Sequence, residues 1–200
     1  MTTLLVPPRR SKLPTLAPIS PPGPKRFTVE EFHNLGEAGL FVGKQACLIR
    51  GEIFEEGPMN PPHRLSLELS TLAMQGAFGT GWRVCAQMPL LLGKATDPDP
   101  DIAMVRGSPR DNFAHPTSAE LILEISDTSF KFDAGLKLEL YASAGIADYW
   151  VLDVNDRLLY VFRDPQRDGT YGEQLTLKDT ESVSPLAAPD KTILVADLLP

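Results

Sequence analysis

Cysteine, histidine and long apolar runs are scarce in this sequence, and each shortage removes a class of protein. Cys47 and Cys85 are too few for a disulfide scaffold or a cage of zinc thiolates, and they suit a reducing cytoplasm. No run approaches the ~18 consecutive apolar residues of a membrane span, and no signal-peptide core follows the N-terminus. No internal repeat is present. Ser126 and Ser129 have no histidine neighbour in sequence, so a nucleophilic triad is not suggested.

What is present is an ordinary globular composition with an uneven charge. The 200 residues are 42% hydrophobic, enough to bury a real core and too many for a wholly disordered chain. Residues 1–26 are rich in proline, carry Arg9, Arg10, Lys12, Lys25 and Arg26, and hold no acid. They read as a basic, flexible arm, because proline removes donors and fixes the backbone away from helix. The net charge is -7, so the rest of the chain, residues 27–200, is strongly acidic. It reads as a single domain. A body that acidic does not grip nucleic acid over a broad surface, and work on a phosphodiester would need metal ions to offset the acids locally.

Thr28 and Glu31 have capping-box spacing and predict a helix to about Leu35. A strand pair or bent strand is expected over Cys47–Phe54, broken at Gly51. A helix should follow from about His63 to Ala77, with Leu65, Leu69, Leu72 and Ala73 on its apolar stripe. Strands are expected at Trp82–Leu92, Asp101–Val105 and Glu120–Ser126, then a helix from about Asp133 to Ala144. Tyr149–Val154 and Leu158–Arg163 read as a hairpin turning at Asn155-Asp156, with further strands near Tyr171–Leu177 and Thr192–Val195. The fold class is α/β or α+β: one mixed central sheet flanked by few helices.

Three charges stand where the pattern asks for apolar residues. Glu124 lies in Leu121-Ile122-Leu123-Glu124-Ile125, a strand apolar on both faces. Asp101 opens another strand after Pro98-Asp99-Pro100. Lys137 shares a helical stripe with Leu136, Leu140, Tyr141 and Ala144, which implies a buried partner or a working ammonium. Two inward carboxylates with a nearby lysine suit metal-assisted phosphodiester hydrolysis: the acids hold Mg2+, and the lysine holds water or offsets charge on the phosphate. A structural ion pair of Lys137 with Glu124 or Asp133 explains the same lysine without chemistry.

Pro100-Asp101-Ile102, Leu123-Glu124-Ile125-Ser126, Lys137 with Tyr141, and Gly145-Ile146-Ala147-Asp148-Tyr149-Trp150-Val151-Leu152-Asp153 resemble the Uma-type "putative restriction endonuclease" family of the PD-(D/E)XK nuclease superfamily. The resemblance implies a restriction-endonuclease-like core and a Mg2+-dependent DNA endonuclease, with Mn2+ able to substitute. It makes Asp101 and Glu124 the metal-binding acids, adds the main-chain carbonyl of Ile125 as a ligand, and assigns the ammonium to Lys137. In the superfamily that ammonium usually lies two residues after the second acid, where this chain has Ser126. His63 matches a family histidine at a helix start, and Asp133 and Tyr141 stand close to the implied site. Cys47 departs from the pattern: the family commonly has glutamate there, and aspartate at Arg50. A symmetric homodimer fits a double-strand cut on geometry and family analogy. Two other readings stay open: a weak or inactive nuclease-fold module that binds nucleic acid or a protein partner, and a structural domain with an ion-pair cluster.

Overall fold

The capping box forms as spaced. In the computed structural model, which describes residues 22–111 and 114–200, Thr28 Oγ1 accepts from the Glu31 amide at 3.2 Å, and Glu31 Oε2 accepts from the Thr28 amide at 2.9 Å. These bonds open helix α1, Val29–Glu37, whose Phe32 is buried. Of the arm expected over residues 1–26, residues 1–21 lie outside the described residues. The expected strand pair is a hairpin of β1, Gln45–Ile49, and β2, Glu52–Glu56. Its two-residue turn places Arg50 at φ 51° and Gly51 at φ 79°, the pairing that tight hairpins favour. Glycine is required there, since a Cβ would sit 2.9 Å from Arg26 Cβ and 3.1 Å from the Phe27 carbonyl oxygen.

A six-stranded mixed sheet forms the centre. Its strands are β3 (Trp82–Ala86), β4 (Ile102–Arg106), β5 (Leu121–Ser126), β6 (Asp148–Asp153), β7 (Leu158–Pro165) and β8 (Tyr171–Lys178), neighbours in that order. Only β5 and β6 run parallel; every other pair is antiparallel. The expected strand Trp82–Leu92 stops at Ala86, because Gln87 turns to φ 49°. Asp101 precedes its strand rather than opening it. The expected strand Thr192–Val195 shrinks to β10, Ile193–Leu194, paired with β9, Ser182–Val183, and Val195–Leu198 coils into a 3-10 turn.

Period-two alternation sorts the central strands onto two apolar layers. Ile102, Met104, Leu121, Leu123 and Ile125 face the layer built with α2 (Pro61–Phe78) and the C-terminal turn. Ala103, Ile122, Tyr149 and Val151 face the layer built with the β1–β2 hairpin and the segment from Phe130 to Tyr141. Helix α2 starts two residues earlier than expected, with Pro61 and Pro62 in its first turn, where an amide has no partner to lose. Its buried face is Ser66, Ser70, Met74 and Phe78, so the leucine stripe was misplaced: Leu65 and Leu72 are exposed. Serines lie inside because small side chains let the helix lie close to the sheet.

The expected helix over Asp133–Ala144 is two kinds of helix. Phe132–Lys137 is a π-turn, and α3 runs only from Leu138 to Ser143. The Leu138 amide reaches back five residues to the Asp133 carbonyl, which also accepts from the Tyr149 hydroxyl at 2.9 Å. Such widened turns hold an extra residue and recur at functional sites.

On the other face of β6, Asp148 is wholly buried and ties three segments together. It accepts from Trp150 Nε1 at 2.7 Å, Arg163 Nε at 2.9 Å and the Leu186 amide at 2.8 Å. Asp148→Ala strands those donors and the Arg163 charge, and should lower unfolding stability in urea by about 3–5 kcal/mol. A loss under ~1 kcal/mol would contradict this account of the C-terminal clamp.

Candidate active site

Antiparallel register brings the two sequence-separated acids together. Ile102 pairs with Leu123, so Asp101 and Glu124 lie one step further along, on the face shared by Ala103 and Ile122. The Asp101 amide lies 3.4 Å from Glu124 Oε2. Asp101 folds its own carboxylate across β5, where Oδ2 accepts from the Ile125 amide at 2.8 Å. Its Oδ1 lies 2.9 Å from His63 Nε2 and 3.3 Å from Gln87 Nε2.

Glu124 is 1% exposed and is held from the helical layer above. Lys137 and Tyr141, one turn apart, meet its two oxygens: Lys137 Nζ donates to Oε2 at 3.0 Å and the Tyr141 hydroxyl to Oε1 at 2.8 Å. Lys137, 4% exposed, also lies 3.5 Å from Asp133 and 3.6 Å from Glu56. Asp133 in turn accepts from the Ser129 hydroxyl. Ser126 is buried, its hydroxyl has no partner among the described residues, and its carbonyl accepts from the Val154 amide at 3.0 Å.

Burial sets the acid strengths, and the neighbours then divide them. Burial, with Asp101 and Asp133 nearby, pushes Glu124 above the usual carboxylate range despite Lys137. Burial also works on Asp101, but the hydrogen bond and charge of His63 outweigh it and hold that carboxyl down. Lys137 loses from burial and gains more from Glu124, Asp133 and Glu56, so its ammonium stays protonated well above 10.5. His63 is likewise raised by Asp101 against its burial. Burial pushes Asp133 up, partly offset by Lys137.

Asp101, His63, Asp133 and Lys137 reach a cavity of about 290 Å³ between the hairpin, the start of α2 and the π-turn, and Glu124 lies closed off behind its wall. Glu56, Asp101, Asp127 and Asp133 line it against Lys137 and His63, with Asn60, Gln87, Thr128 and Ser129 as neutral polar walls. Asn60, at the N-cap of α2, spends its amide on Asp127 at 2.7 Å rather than on the helix. Among the described residues no group of three or more His, Cys, Asp or Glu is arranged to hold a metal ion. The donor chemistry nevertheless fits a hard divalent cation. Asp101 and Glu124 bring carboxylate oxygens from adjacent segments, Asp101 Oδ2 and Glu124 Oε1 each take one protein donor and keep a lone pair, and negative charge outnumbers positive around the cavity.

Sequence reasoning missed Glu56 and Gln87. Gln87 reaches Asp101 only because β3 ends in a left-handed residue, a bend with no sequence marker. Glu56 ends a strand beside another glutamate, which reads as a solvated edge. His33 is half-buried with Nε2 2.8 Å from Asp97 Oδ2. Asp97 is buried, and burial with Asp97 and Glu56 nearby lifts Asp99 to about 7. His115 is exposed.

A mixed sheet flanked by helices, with two acids where antiparallel pairing gives way to parallel, is a restriction-endonuclease-like architecture. The chain belongs to the Uma2 family, described as "putative restriction endonuclease", whose model matches residues 29–196. It is similar in structure to a protein from Anabaena variabilis described as a "putative nuclease belonging to DUF820", with a TM-score of 0.69 at 17% identity, over 86% of this chain and 97% of that one. No curated protein matches the chain.

Cys47 and Cys85 are each 1% exposed, and burial together with the charge of Glu56 raises the Cys47 thiol to about 12. Neither thiol should react with Ellman's reagent at pH 8 in the folded protein, and both should do so once denaturant is added. Rapid labelling of Cys47 without denaturant would contradict its placement.

Proposed function

We propose that the chain is an endonuclease that hydrolyses DNA phosphodiester bonds with the help of Mg2+, Mn2+ being able to substitute. Asp101, Glu124 and the main-chain carbonyl of Ile125 would hold the cation, and Lys137 would be the ammonium facing the attacked phosphate. The observation that carries this reading is Lys137 itself: a buried, protonated lysine bonded to Glu124 at one wall of an acid-rich cavity. A lysine needed only for stability has no reason to sit at an opening, because replacing a buried ion pair with apolar residues is often neutral or stabilising.

A bound divalent cation supplies charge screening and an acidified water. The protein's own side chains do the rest. The Tyr141 hydroxyl and the Lys137 ammonium fix both oxygens of Glu124, leaving it little rotational freedom. His63 and the Ile125 amide fix Asp101, so one carboxylate on β5 and one just before β4 are preorganised. Lys137 Nζ keeps donors to spare for a water or a phosphate oxygen, where a fixed positive charge favours the developing negative charge. The acidic surround repels phosphate, so binding should depend on the cation and on contacts beyond the cavity.

The test is nicking of supercoiled plasmid with Mg2+ or Mn2+. Asp101→Asn, Glu124→Gln and Lys137→Met should each lose at least ~100-fold in rate while keeping a cooperative thermal transition. The reading fails if wild-type protein cuts no DNA with either cation, or if Asp101→Asn cuts as well as wild type. Calorimetry with Mn2+ then separates the alternatives: absent binding with an intact fold favours a non-catalytic module.

A further inference from the structure

Lys137 is surrounded by three carboxylates, and two have other work. Glu124 also serves the Tyr141 hydroxyl and the Asp101 amide, and Asp133 also accepts from Ser129. Glu56 differs. Its other polar neighbour within bonding range, among the described residues, is Cys47 Sγ at 4.0 Å, a weak donor. It comes from the far end of β2, lines the cavity, and is one-third exposed where Asp133 and Glu124 are closed off.

The hairpin register explains why Glu56 arrives there. Cys47 pairs with Phe54 and Gln45 with Glu56, so positions 47 and 56 are diagonal neighbours on one face of the ribbon. Long side chains from diagonal positions reach each other. A carboxylate carried by residue 47 would therefore end close to where the Glu56 carboxylate now lies. Two glutamates there would crowd another negative charge beside Asp99 and Glu124 with no added cation; a small neutral thiol does not.

We infer that Glu56 is the third carboxylate of this site, a positioning residue that holds the Lys137 ammonium towards the cavity from β2. The inference rests on the nuclease reading for its catalytic consequence, and on geometry alone for the contact. Glu124 is asked to hold both a cation and the ammonium. With Glu56 in place, Lys137 keeps a counter-charge that no other group claims.

The experiment compares wild type, Glu56→Gln, Glu56→Ala and the double variant Cys47→Glu/Glu56→Ala. Glu56→Gln keeps the shape and removes the charge at a partly exposed position, so it should fold. With Mn2+, it should lower kcat for plasmid nicking by about 10–100-fold, the usual loss for a supporting residue, with KM within about threefold. The double variant should recover most of what Glu56→Ala loses. A second measurement needs no metal and no activity: proton exchange at the Lys137 ammonium by NMR, with nitrogen-15 lysine. It should be at least tenfold faster in Glu56→Gln than in wild type and slow again in the double variant. Unchanged exchange and unchanged kcat in Glu56→Gln overturn the inference while an inactive Asp101→Asn leaves the nuclease reading standing. If wild type never cuts, the nuclease reading falls, and the exchange rates still decide whether Glu56 holds the ammonium. Failure of the double variant to slow exchange, when Glu56→Ala has quickened it, would overturn the claim that a carboxylate at this corner of the hairpin holds the ammonium.

Discussion

A protonated lysine with almost no water around it has to be surrounded by negative charge, and that requirement organises the interior of this protein. Lys137 reaches Glu124 from the helical layer, and Asp133 and Glu56 close in from either side. Removing one member of such a group leaves an uncompensated charge in low dielectric, a loss of about 3–5 kcal/mol in comparable cases. The backbone around it is shaped to match. The π-turn widens the helix just before Lys137, and Tyr149 takes up the carbonyl of Asp133 there. Local irregularity and a buried ionic group therefore occur at one place.

The acids depend on a different constraint, the alternation of side chains across a sheet. Asp101 and Glu124 are far apart in sequence and meet because the Ile102–Leu123 pairing puts both on the same face. A slip of one residue in that register would turn Glu124 to the α2 face and send Leu121, Leu123 and Ile125 to the other side of the sheet. The apolar neighbours of Glu124 thus do more than fill a core. They fix which way the carboxylate points.

Much of the fold was legible because its signals are local. The Thr28–Glu31 capping box, the break at Gly51 and the apolar run around Glu124 each carry their own physical cause, and each forms as read. The errors were equally physical. Leucines at 65 and 72 suggested a stripe, but the face of α2 that meets the sheet is set by how closely a helix can approach, and Ser66 and Ser70 allow that approach. The stretch after Trp82 is apolar enough to continue as a strand, yet Gln87 turns it away. Around the cavity, Lys137 and Glu124 stood out because charge among apolar neighbours is costly. Gln87 and Glu56 did not, because a polar residue at a strand end is unremarkable in sequence.

Alone, the sequence determined which residues could not be left in oil without a partner, since desolvation of a charge is a property of the residue and its immediate neighbours. It also determined where strands and helices begin, wherever a cap or a two-residue turn states it. Only the tertiary structure decided who the partners are. Pairing between strands, the angle of a hairpin over a sheet and the extra residue in one helical turn are long-range outcomes, and they alone bring Glu56, His63 and Lys137 to the same opening.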